Sequence, residues 1–265
     1  MDTQTKTDDK LGALVQNYDA AFRFAFETFA LGSSDGPVRD REVLELARRA
    51  GIASGSRVLE PGSGSGGVSR LLARELNCEV HGIDLTPSQL QEAQRKTEEA
   101  ALQDTVSFSL GDMEVFDYEQ ETYDVAIDVF SWIHATNWQR LLASLHAALK
   151  PGGRIVIYDA FLKPEAIDQT RAYVRDAWLA GISTVDDCTA LLEDNGYQVN
   201  YTDERGQQVL ENWRGGLANL KQKEDEFQAR FGEESYGFFV ETSAWTIEAY
   251  EREELTAAQV IAKKR

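Results

Sequence analysis

A carboxylate followed by a glycine-rich loop is the part of this sequence best suited to bind a ligand. Glu60 closes a short apolar run, and Gly62, Gly64 and Gly66 follow it before a segment with helical spacing begins. Glycines let the backbone turn tightly and approach a ligand, and a helix N-terminus presents N–H groups that have no intrahelical partner. The carboxylate of Glu60 would repel a pyrophosphate and attract a cationic group. The pattern therefore favours a nucleotide-like ligand that carries positive charge.

A second carboxylate stands where the next predicted strand ends. The segment CEVHGID places Asp84 there, after the helix that follows the glycine loop. A carboxylate at this position can accept hydrogen bonds from both hydroxyls of a ribose. Gly62, Gly64 and Gly67 also match the G-x-G-x-x-G pattern of dinucleotide-binding domains, so an NAD(P)-dependent oxidoreductase is an alternative interpretation.

The segment E-P-G-S-G-S-G, from Glu60 to Gly66, resembles the acid-x-G-x-G-x-G signature of class I methyltransferases that use S-adenosylmethionine (SAM). The turn K-P-G-G-R that precedes an apolar strand at 154–159 is similar to the same family. The resemblance extends from about residue 55 to about residue 160. It points to the branch that methylates small metabolites, which includes ubiquinone, sterol, phosphoethanolamine and sarcosine methyltransferases.

The resemblance implies SAM as cofactor, S-adenosylhomocysteine as product and a set of cofactor contacts. In this family pattern Glu60 binds the ammonium group, Asp84 binds the ribose, and the turn Gly111-Asp112-Met113 meets the adenine. The residues assigned to the cofactor are Glu60, Gly62, Ser63, Gly64, Gly66, Asp84, Leu85, Gln89, Gly111, Asp112, Met113, Asp128 and Val129. The implied reaction is an in-line transfer of a methyl group to an N, O or C atom of a small-molecule acceptor. The alternative is a SAM-binding protein that catalyses no transfer.

Two residues are candidates for a role in the transfer itself. His134 follows the fourth predicted strand, at the edge where the family places its acceptor, and a neutral imidazole can take a proton near neutral pH. Tyr18 lies on the aromatic face of a predicted helix at 10–31, from which its hydroxyl would orient the acceptor if that helix is a lid. The alternatives are a structural imidazole for His134 and ordinary core packing for the aromatic face.

A metal site is not expected. Asp128 and Asp159, near the ends of the fourth and fifth predicted strands, resemble two ligands of metal-dependent catechol methyltransferases. The position where the third ligand is expected holds Ala160, which removes the basis for that interpretation.

Strands and helices alternate five times along the chain, which predicts an α/β fold. We expect a doubly wound, mostly parallel seven-stranded, Rossmann-like sheet with an antiparallel last strand and a helical cap. The predicted divisions are an N-terminal helical lid at 1–54, a SAM-binding core at 55–206, an aromatic-rich helical insert at 207–256 and a final strand at 257–265. The insert is expected to cover the substrate or, alternatively, to form the arm of a homodimer.

The amino-acid composition limits the classes of molecule that this protein is expected to bind. The net charge of −18 and the pI near 4.6 argue against nucleic acid, because binding phosphates needs a basic face. The negative net charge favours a cationic acceptor. A hydrophobic acceptor is the other class that we consider. No apolar run reaches the length of a membrane span and the first residues are polar, so we expect a cytoplasmic protein without a membrane partner. Cys78 and Cys188 are too few for a disulfide framework.

Overall fold

A computed structural model describes residues 37–177, 181 and 183–265, which build a seven-stranded sheet flanked by helices. The strands are β1 (Arg57–Pro61), β2 (Glu79–Asp84), β3 (Val106–Leu110), β4 (Tyr123–Val129), β5 (Leu149–Leu162), β6 (Tyr197–Glu204) and β7 (Leu255–Lys264). Their order is β3-β2-β1-β4-β5-β7-β6. The first five strands pair in parallel, and β7 runs antiparallel to both β5 and β6. The predicted doubly wound sheet with an antiparallel last strand is confirmed.

The chain order reverses between β1 and β4. Strand β1 pairs with β2 on one side and with β4 on the other, where Val58 lies opposite Val125 and Leu59 opposite Ala126. Residues 125–127 of β4 are buried, as expected for a parallel strand covered on both faces. In open α/β sheets, ligands bind beyond the carboxyl ends of the strands at such a reversal. The glycine loop after β1 and the turn after β4 both lie at this place.

Six helices accompany the sheet in the described part of the chain before the insert begins. They are α1 (Pro37–Arg49), α2 (Gly67–Leu76), α3 (Pro87–Glu99), α4 (Trp138–Ala148), α5 (Asp168–Ala177) and α6 (Val185–Asp194). Leu46 of α1 and Leu72 of α2 belong to the apolar core on one face of the sheet. Leu145 of α4 and Leu192 of α6 belong to the core on the other face. Helices therefore cover both faces, which leaves the carboxyl edge as the place for a site.

The insert comprises residues 206–251 and contains α7 (Gly206–Gln222), α8 (Glu224–Phe231) and α9 (Glu233–Glu251). It leaves β6 after Glu204 and returns at Leu255, which pairs with Leu162 at the carboxyl end of β5. Its base joins the main core through Val209, Leu210 and Tyr250. Its far end has a small core of its own, which we call the insert cluster and which consists of Leu220, Phe227, Tyr236 and Phe239. The helical insert thus rises from the same edge as the glycine loop.

Some boundaries differ from the sequence-based expectation. The last strand begins at Leu255 rather than at residue 257, and the helix predicted just before β1 is α1. The predicted lid helix at 10–31, with Tyr18, lies outside the described residues. Among the residues that are described, no helix is both long enough and apolar enough to cross a membrane.

Candidate functional site

The glycine loop has the geometry that only glycines adopt easily. Gly62, Gly64 and Gly66 have positive φ angles of 81°, 52° and 73°. A Cβ on Gly62 would lie 2.5 Å from the Oγ atom of Ser131, so the loop after β1 and the turn after β4 are in close contact. A Cβ on Gly64 would meet nothing within 4 Å. The loop is therefore packed at Gly62 and open at Gly64.

Two carboxylates are bonded to the loop or to the helix that follows it. Glu60 is buried, and its Oε2 atom accepts a hydrogen bond from the hydroxyl of Ser69 in α2. The Oδ2 atom of Asp84 accepts from the backbone N–H of Gly64 at 2.8 Å, and its Oδ1 atom accepts from Thr86 N–H at 2.8 Å. Burial raises the pKa of Asp84, while these hydrogen bonds oppose the rise. Each carboxylate oxygen has two lone pairs, so Asp84 can still accept from a ligand.

The turn predicted to meet the adenine is joined to Asp84 through the backbone. The N–H of Gly111 donates to the carbonyl oxygen of Asp84 at 2.9 Å, and a Cβ on Gly111 would lie 2.4 Å from the ring of Phe116. The Oδ1 atom of Asp112 accepts from Glu114 N–H at 2.9 Å. Burial raises the pKa of the half-buried Asp112. The three predicted cofactor segments are thus linked at one edge of the sheet.

The remaining predicted contacts divide into two groups. Leu85, Met113 and Val129 are half-buried at strand ends or in the loops that follow, and Gln89 is buried in the first turn of α3. Their positions are compatible with a role at this edge, and that role stays a prediction.

Ser63 and Asp128 are the most enclosed of the predicted contacts. The hydroxyl of Ser63 is buried against Gly82, because a Cβ on Gly82 would lie 2.7 Å from that oxygen. Asp128 is fully buried, and its Oδ1 atom accepts from Ser131 N–H at 2.9 Å and from Trp132 N–H at 3.0 Å. Their role at the cofactor stays a prediction.

His134 lies in a short segment, Ser131–Asn137, whose backbone N–H groups are all satisfied. Two of the seven bond to carbonyl oxygens inside the segment, those of His134 and Ala135. The other five donate to carboxylates: those of Ser131 and Trp132 to Asp128, that of Ile133 to Asp159, and those of Thr136 and Asn137 to Glu114. His134 itself is half-buried at the end of a 3-10 turn, Trp132–His134. Buried acids on both sides therefore fix the position of His134.

The residue just before this segment is strained. Phe130 has a φ of 56°, which is rarely adopted by a residue with a large side chain. Its N–H donates to the carbonyl oxygen of Tyr158 at 2.8 Å, and the two rings lie 4.9 Å apart. Strained backbone of this kind persists where surrounding contacts enforce it and is common at functional sites.

Sequence reasoning missed the role of Glu114. The side chain is buried and accepts from Thr136 Oγ1 at 2.8 Å and from Asn137 N–H at 3.1 Å. An acid directly after the G-D-M turn was the available signal, but its partners lie in another loop. In the described part of the chain, no group of three or more His, Cys, Asp or Glu residues could hold a metal ion.

Comparison with known proteins identifies the core of this fold. Residues 58–153 match the family model described as a methyltransferase domain. This match covers less than half of the chain and indicates a methyltransferase domain in that segment. Its boundaries include the glycine loop, Asp84, the turn at Asp112 and the segment that carries His134.

Two curated methyltransferases illustrate how much of the chain the sequence similarity covers. Over 147 residues the chain is 32% identical to a sterol 24-C-methyltransferase of Eremothecium gossypii, which covers 56% of this chain and 39% of that protein. It is 27% identical over 161 residues to methyltransferase GfsG of Streptomyces halstedii, with 59% and 58% of the two chains covered. The chain thus spans about two fifths of the length of the sterol methyltransferase that it matches.

Solved structures extend the similarity beyond the methyltransferase domain. A phosphoethanolamine N-methyltransferase 2 of Haemonchus contortus, in complex with phosphomonomethylethanolamine and S-adenosylhomocysteine, superposes with a TM-score of 0.84. The match covers 94% of this chain and 58% of that one at 19% identity. A cyclopropane synthase of Mycobacterium tuberculosis, MmaA2, gives a TM-score of 0.76 at 14% identity and covers 88% of each chain. At these identities the likeness establishes the fold.

Proposed function

We propose that this chain is a SAM-dependent methyltransferase that acts on a small-molecule acceptor. The observation that carries the proposal is the hydrogen bond from Gly64 N–H to Asp84, at the open end of a glycine loop that begins after Glu60, in a segment that matches a methyltransferase domain. Carboxylates there suit a ligand with an ammonium group and a ribose. They do not suit a pyrophosphate, which argues against a dinucleotide.

The residues present fit SAM. Glu60 would bind the ammonium group, and Asp84 would accept from the ribose hydroxyls while it holds the glycine loop. Asp112 would accept from the adenine amine, and Met113 would cover the ring. The N-terminus of α2 and the backbone around Gly64 would approach the ligand from the remaining side.

When bound, SAM supplies a methyl group on a positively charged sulfur, and an acceptor atom displaces it in line while the C–S electron pair stays on the sulfur. The chain's own contribution is to orient the acceptor, exclude water and remove a proton where the acceptor has one to lose. The residue proposed for proton removal is His134. The acids that hold Ser131–Asn137 keep its imidazole in place before the acceptor arrives, which reduces the entropy cost of the reaction.

We propose that the insert covers the bound acceptor. Both of its ends lie at the carboxyl edge of the sheet, and Trp245 of α9 stacks on Tyr173 of α5 with ring centroids 3.6 Å apart. Two glycines at helix ends of the insert differ in their freedom to move. Gly232 has a φ of 87° between α8 and α9, whereas Gly206 is packed against Thr256.

Hydrogen exchange tests whether the insert is a cap. Its backbone N–H groups should exchange more slowly when S-adenosylhomocysteine and acceptor are bound together. Exchange that instead depends on protein concentration would make the insert the arm of a homodimer.

The acceptor class is proposed to be a small metabolite that is cationic or hydrophobic. The sterol and phosphomonomethylethanolamine named for similar proteins represent these two classes. A panel of amines, sterols and prenyl compounds, assayed for S-adenosylhomocysteine formation, would separate them. Tight SAM binding without turnover on any acceptor would favour the alternative of a non-catalytic SAM-binding protein.

Calorimetry with SAM, S-adenosylhomocysteine and NADH tests the cofactor. We expect the first two to bind and NADH not to bind. Glu60→Gln should weaken SAM binding by about tenfold to a hundredfold, because it removes a charge-assisted hydrogen bond of about 1.5–3 kcal/mol. The matched control is Glu79→Gln, which changes an exposed acid at the opposite end of β2 and should leave binding unchanged. NADH binding, or equal SAM affinity in both variants, would contradict the assignment.

A further inference from the structure

Two carboxyl groups lie side by side inside the protein, directly beneath the turn that carries His134. Asp128 and Asp159 are both 0% exposed. Asp128 pairs with Ile157 across β4 and β5, and Asp159 lies two residues farther along β5 on the same face. The two acids therefore meet at the carboxyl ends of neighbouring parallel strands, where each can influence the charge of the other.

Between them the two acids hold one turn. The Oδ1 atom of Asp128 accepts from Ser131 N–H, from Ser131 Oγ at 2.7 Å and from Trp132 N–H. The Oδ2 atom of Asp159 accepts from Ile133 N–H at 2.9 Å, and its Oδ1 atom accepts from Ala160 N–H at 2.7 Å. The Oδ2 atom of Asp128 is fully buried and receives no hydrogen bond from an N–H or hydroxyl group of the described residues. The strand register places the carboxyl group of Asp159 next to that of Asp128.

We propose that Asp128 and Asp159 share one proton, carried by Asp159, and that this singly charged pair is the positioning element for the turn at Ser131–His134. The proposal rests on the proposed function, because it assigns a regulatory role to pH at the same site. A proton on Asp159 supplies the donor that Oδ2 of Asp128 otherwise lacks. Both acids then keep every hydrogen bond that they accept from the turn.

The surroundings favour one negative charge over two. Burial and the neighbouring Asp128 raise the pKa of Asp159 well above its ordinary value, and burial raises the pKa of Asp128 to about 6. Burial, together with the charges of the two acids and of Asp187, raises the pKa of the Cys188 thiol in α6 to about 12. Burial, followed by the charge of Asp159, likewise raises the pKa of the Tyr250 hydroxyl of α9.

The side chains around Asp128 and Asp159 therefore do little to stabilise a second negative charge on the pair. Cys188 and Tyr250 stay neutral over the working range of pH, and Asp187 adds negative charge. The groups of the described residues that hydrogen-bond to the two acids include no lysine or arginine. The turn itself carries a further titratable group, His134. Loss of the shared proton would leave two negative charges next to each other in a site without water. The turn at Ser131–His134 would then move away from them.

Asp159→Asn is the decisive variant, because an amide copies the protonated acid. Its NH₂ group can donate to Oδ2 of Asp128 and its oxygen can still accept from Ile133 N–H, while the hydrogen bond from Ala160 N–H is lost. Asp159→Leu keeps similar bulk but removes the donor and leaves Asp128 charged and buried. The matched control is Asp124→Asn at the other end of β4, where the acid is half-exposed and paired with Lys150 at 2.7 Å.

Infrared spectroscopy tests the shared proton without any turnover. At neutral pH the parent should show the C=O stretching band of a protonated carboxylic acid, which Asp159→Asn lacks and Asp124→Asn retains. A band that is equally strong in the parent and in Asp159→Asn would overturn the proposal. Because this measurement needs no acceptor, it stands even if the methyltransferase assignment fails.

Kinetics tests the positioning role. We expect Asp159→Asn to keep most of the parent's kcat at neutral pH and to lose the parent's decline in kcat at alkaline pH. Asp159→Leu should lose kcat by about 10²-fold at nearly unchanged SAM affinity, because the turn is misplaced while the glycine loop is intact. An alkaline decline that is the same in the parent and in Asp159→Asn would overturn the proposal. A loss of kcat in Asp159→Asn as large as in Asp159→Leu would do the same.

Discussion

The backbone N–H of Gly64 donates a 2.8 Å hydrogen bond to the Oδ2 atom of Asp84, so the acid that ends β2 holds the loop that follows β1. The other oxygen of the same carboxylate holds Thr86 at the start of the next helix. Asp84 is therefore a structural support of the loop as well as the proposed ribose ligand. A ligand that bonds to Asp84 also contacts the group that fixes the shape of its own site.

Substitution of Asp84 should consequently affect the loop and the ligand together. We expect Asp84→Ala to lower SAM affinity by about tenfold to more than a hundredfold, because it removes a charge-assisted hydrogen bond of about 1.5–3 kcal/mol. Asp84→Asn, which retains one acceptor oxygen, should lose less. Calorimetry measures both affinities, and circular dichroism checks that the variants are folded. Parent-like binding by a folded Asp84→Ala would refute the ribose assignment.

Glu114→Ala should loosen the far side of the segment that carries His134. The carboxylate accepts from both Thr136 and Asn137, and its removal breaks hydrogen bonds to a buried charged group, at a cost of about 1.5–3 kcal/mol. Denaturant titration should show this loss, and hydrogen exchange should increase at 131–137 while the glycine loop stays protected. Glu119→Ala, which changes an exposed acid, serves as the control. Unchanged exchange at 131–137 would show that the segment does not depend on Glu114.

His134→Ala tests the proposed proton acceptor. A positioned base contributes about 10²–10⁴ in rate, so kcat should fall within that range while SAM affinity stays unchanged. His146→Ala is a suitable control, since that half-buried imidazole lies in α4 with its ring against Tyr197. Full activity in His134→Ala would leave the histidine a structural role and would indicate an acceptor that needs no base.

The pH dependence of stability should reveal the buried acid pair. The pKa of Asp159 is raised in the folded protein, so its contribution to stability is complete below the unfolded value of about 3.9 and is lost as pH rises through the folded pKa. We expect the free energy of unfolding of the parent to fall relative to that of Asp159→Asn between about pH 4 and alkaline pH. Each unit of pKa shift corresponds to about 1.4 kcal/mol.

Asp124, at the other end of β4 from Asp128, provides a control whose pKa is shifted in the opposite direction. Burial tends to raise the pKa of Asp124, but hydrogen bonds from Lys150 and from Arg57 N–H outweigh it and lower the pKa overall. Its contribution is present above the unfolded pKa and is lost as pH falls through the folded value. Denaturant titrations of Asp159→Asn, Asp124→Asn and the parent at several pH values measure how the free energy of unfolding depends on each acid. The same trend in both would contradict the assigned shifts.

Local patterns were sufficient to predict the fold, and the cofactor edge stays a prediction. Glu60, the glycines and Asp84 follow directly from strand–turn–helix spacing, and that spacing survives in the structure. The direction of a side chain was harder to infer. Asp128 ends a strand just as Asp84 does, but it is enclosed, because Asp159 and the turn at Ser131–Ile133 surround it. Glu114 was missed for a related reason, since its partners at 136–137 become neighbours only when the loops fold together.

The connection from β6 to β7 has a consequence for how this protein can diversify. These strands are adjacent and antiparallel, and Arg205 N–H donates to Ala257 O at 2.6 Å, so a short hairpin would be enough to join them. The insert brings the insert cluster as its own core and meets the sheet mainly at its base. The insert is therefore a module that can be exchanged without rebuilding the sheet, and if it covers the acceptor as proposed, such an exchange would change the acceptor while the glycine loop stays as it is.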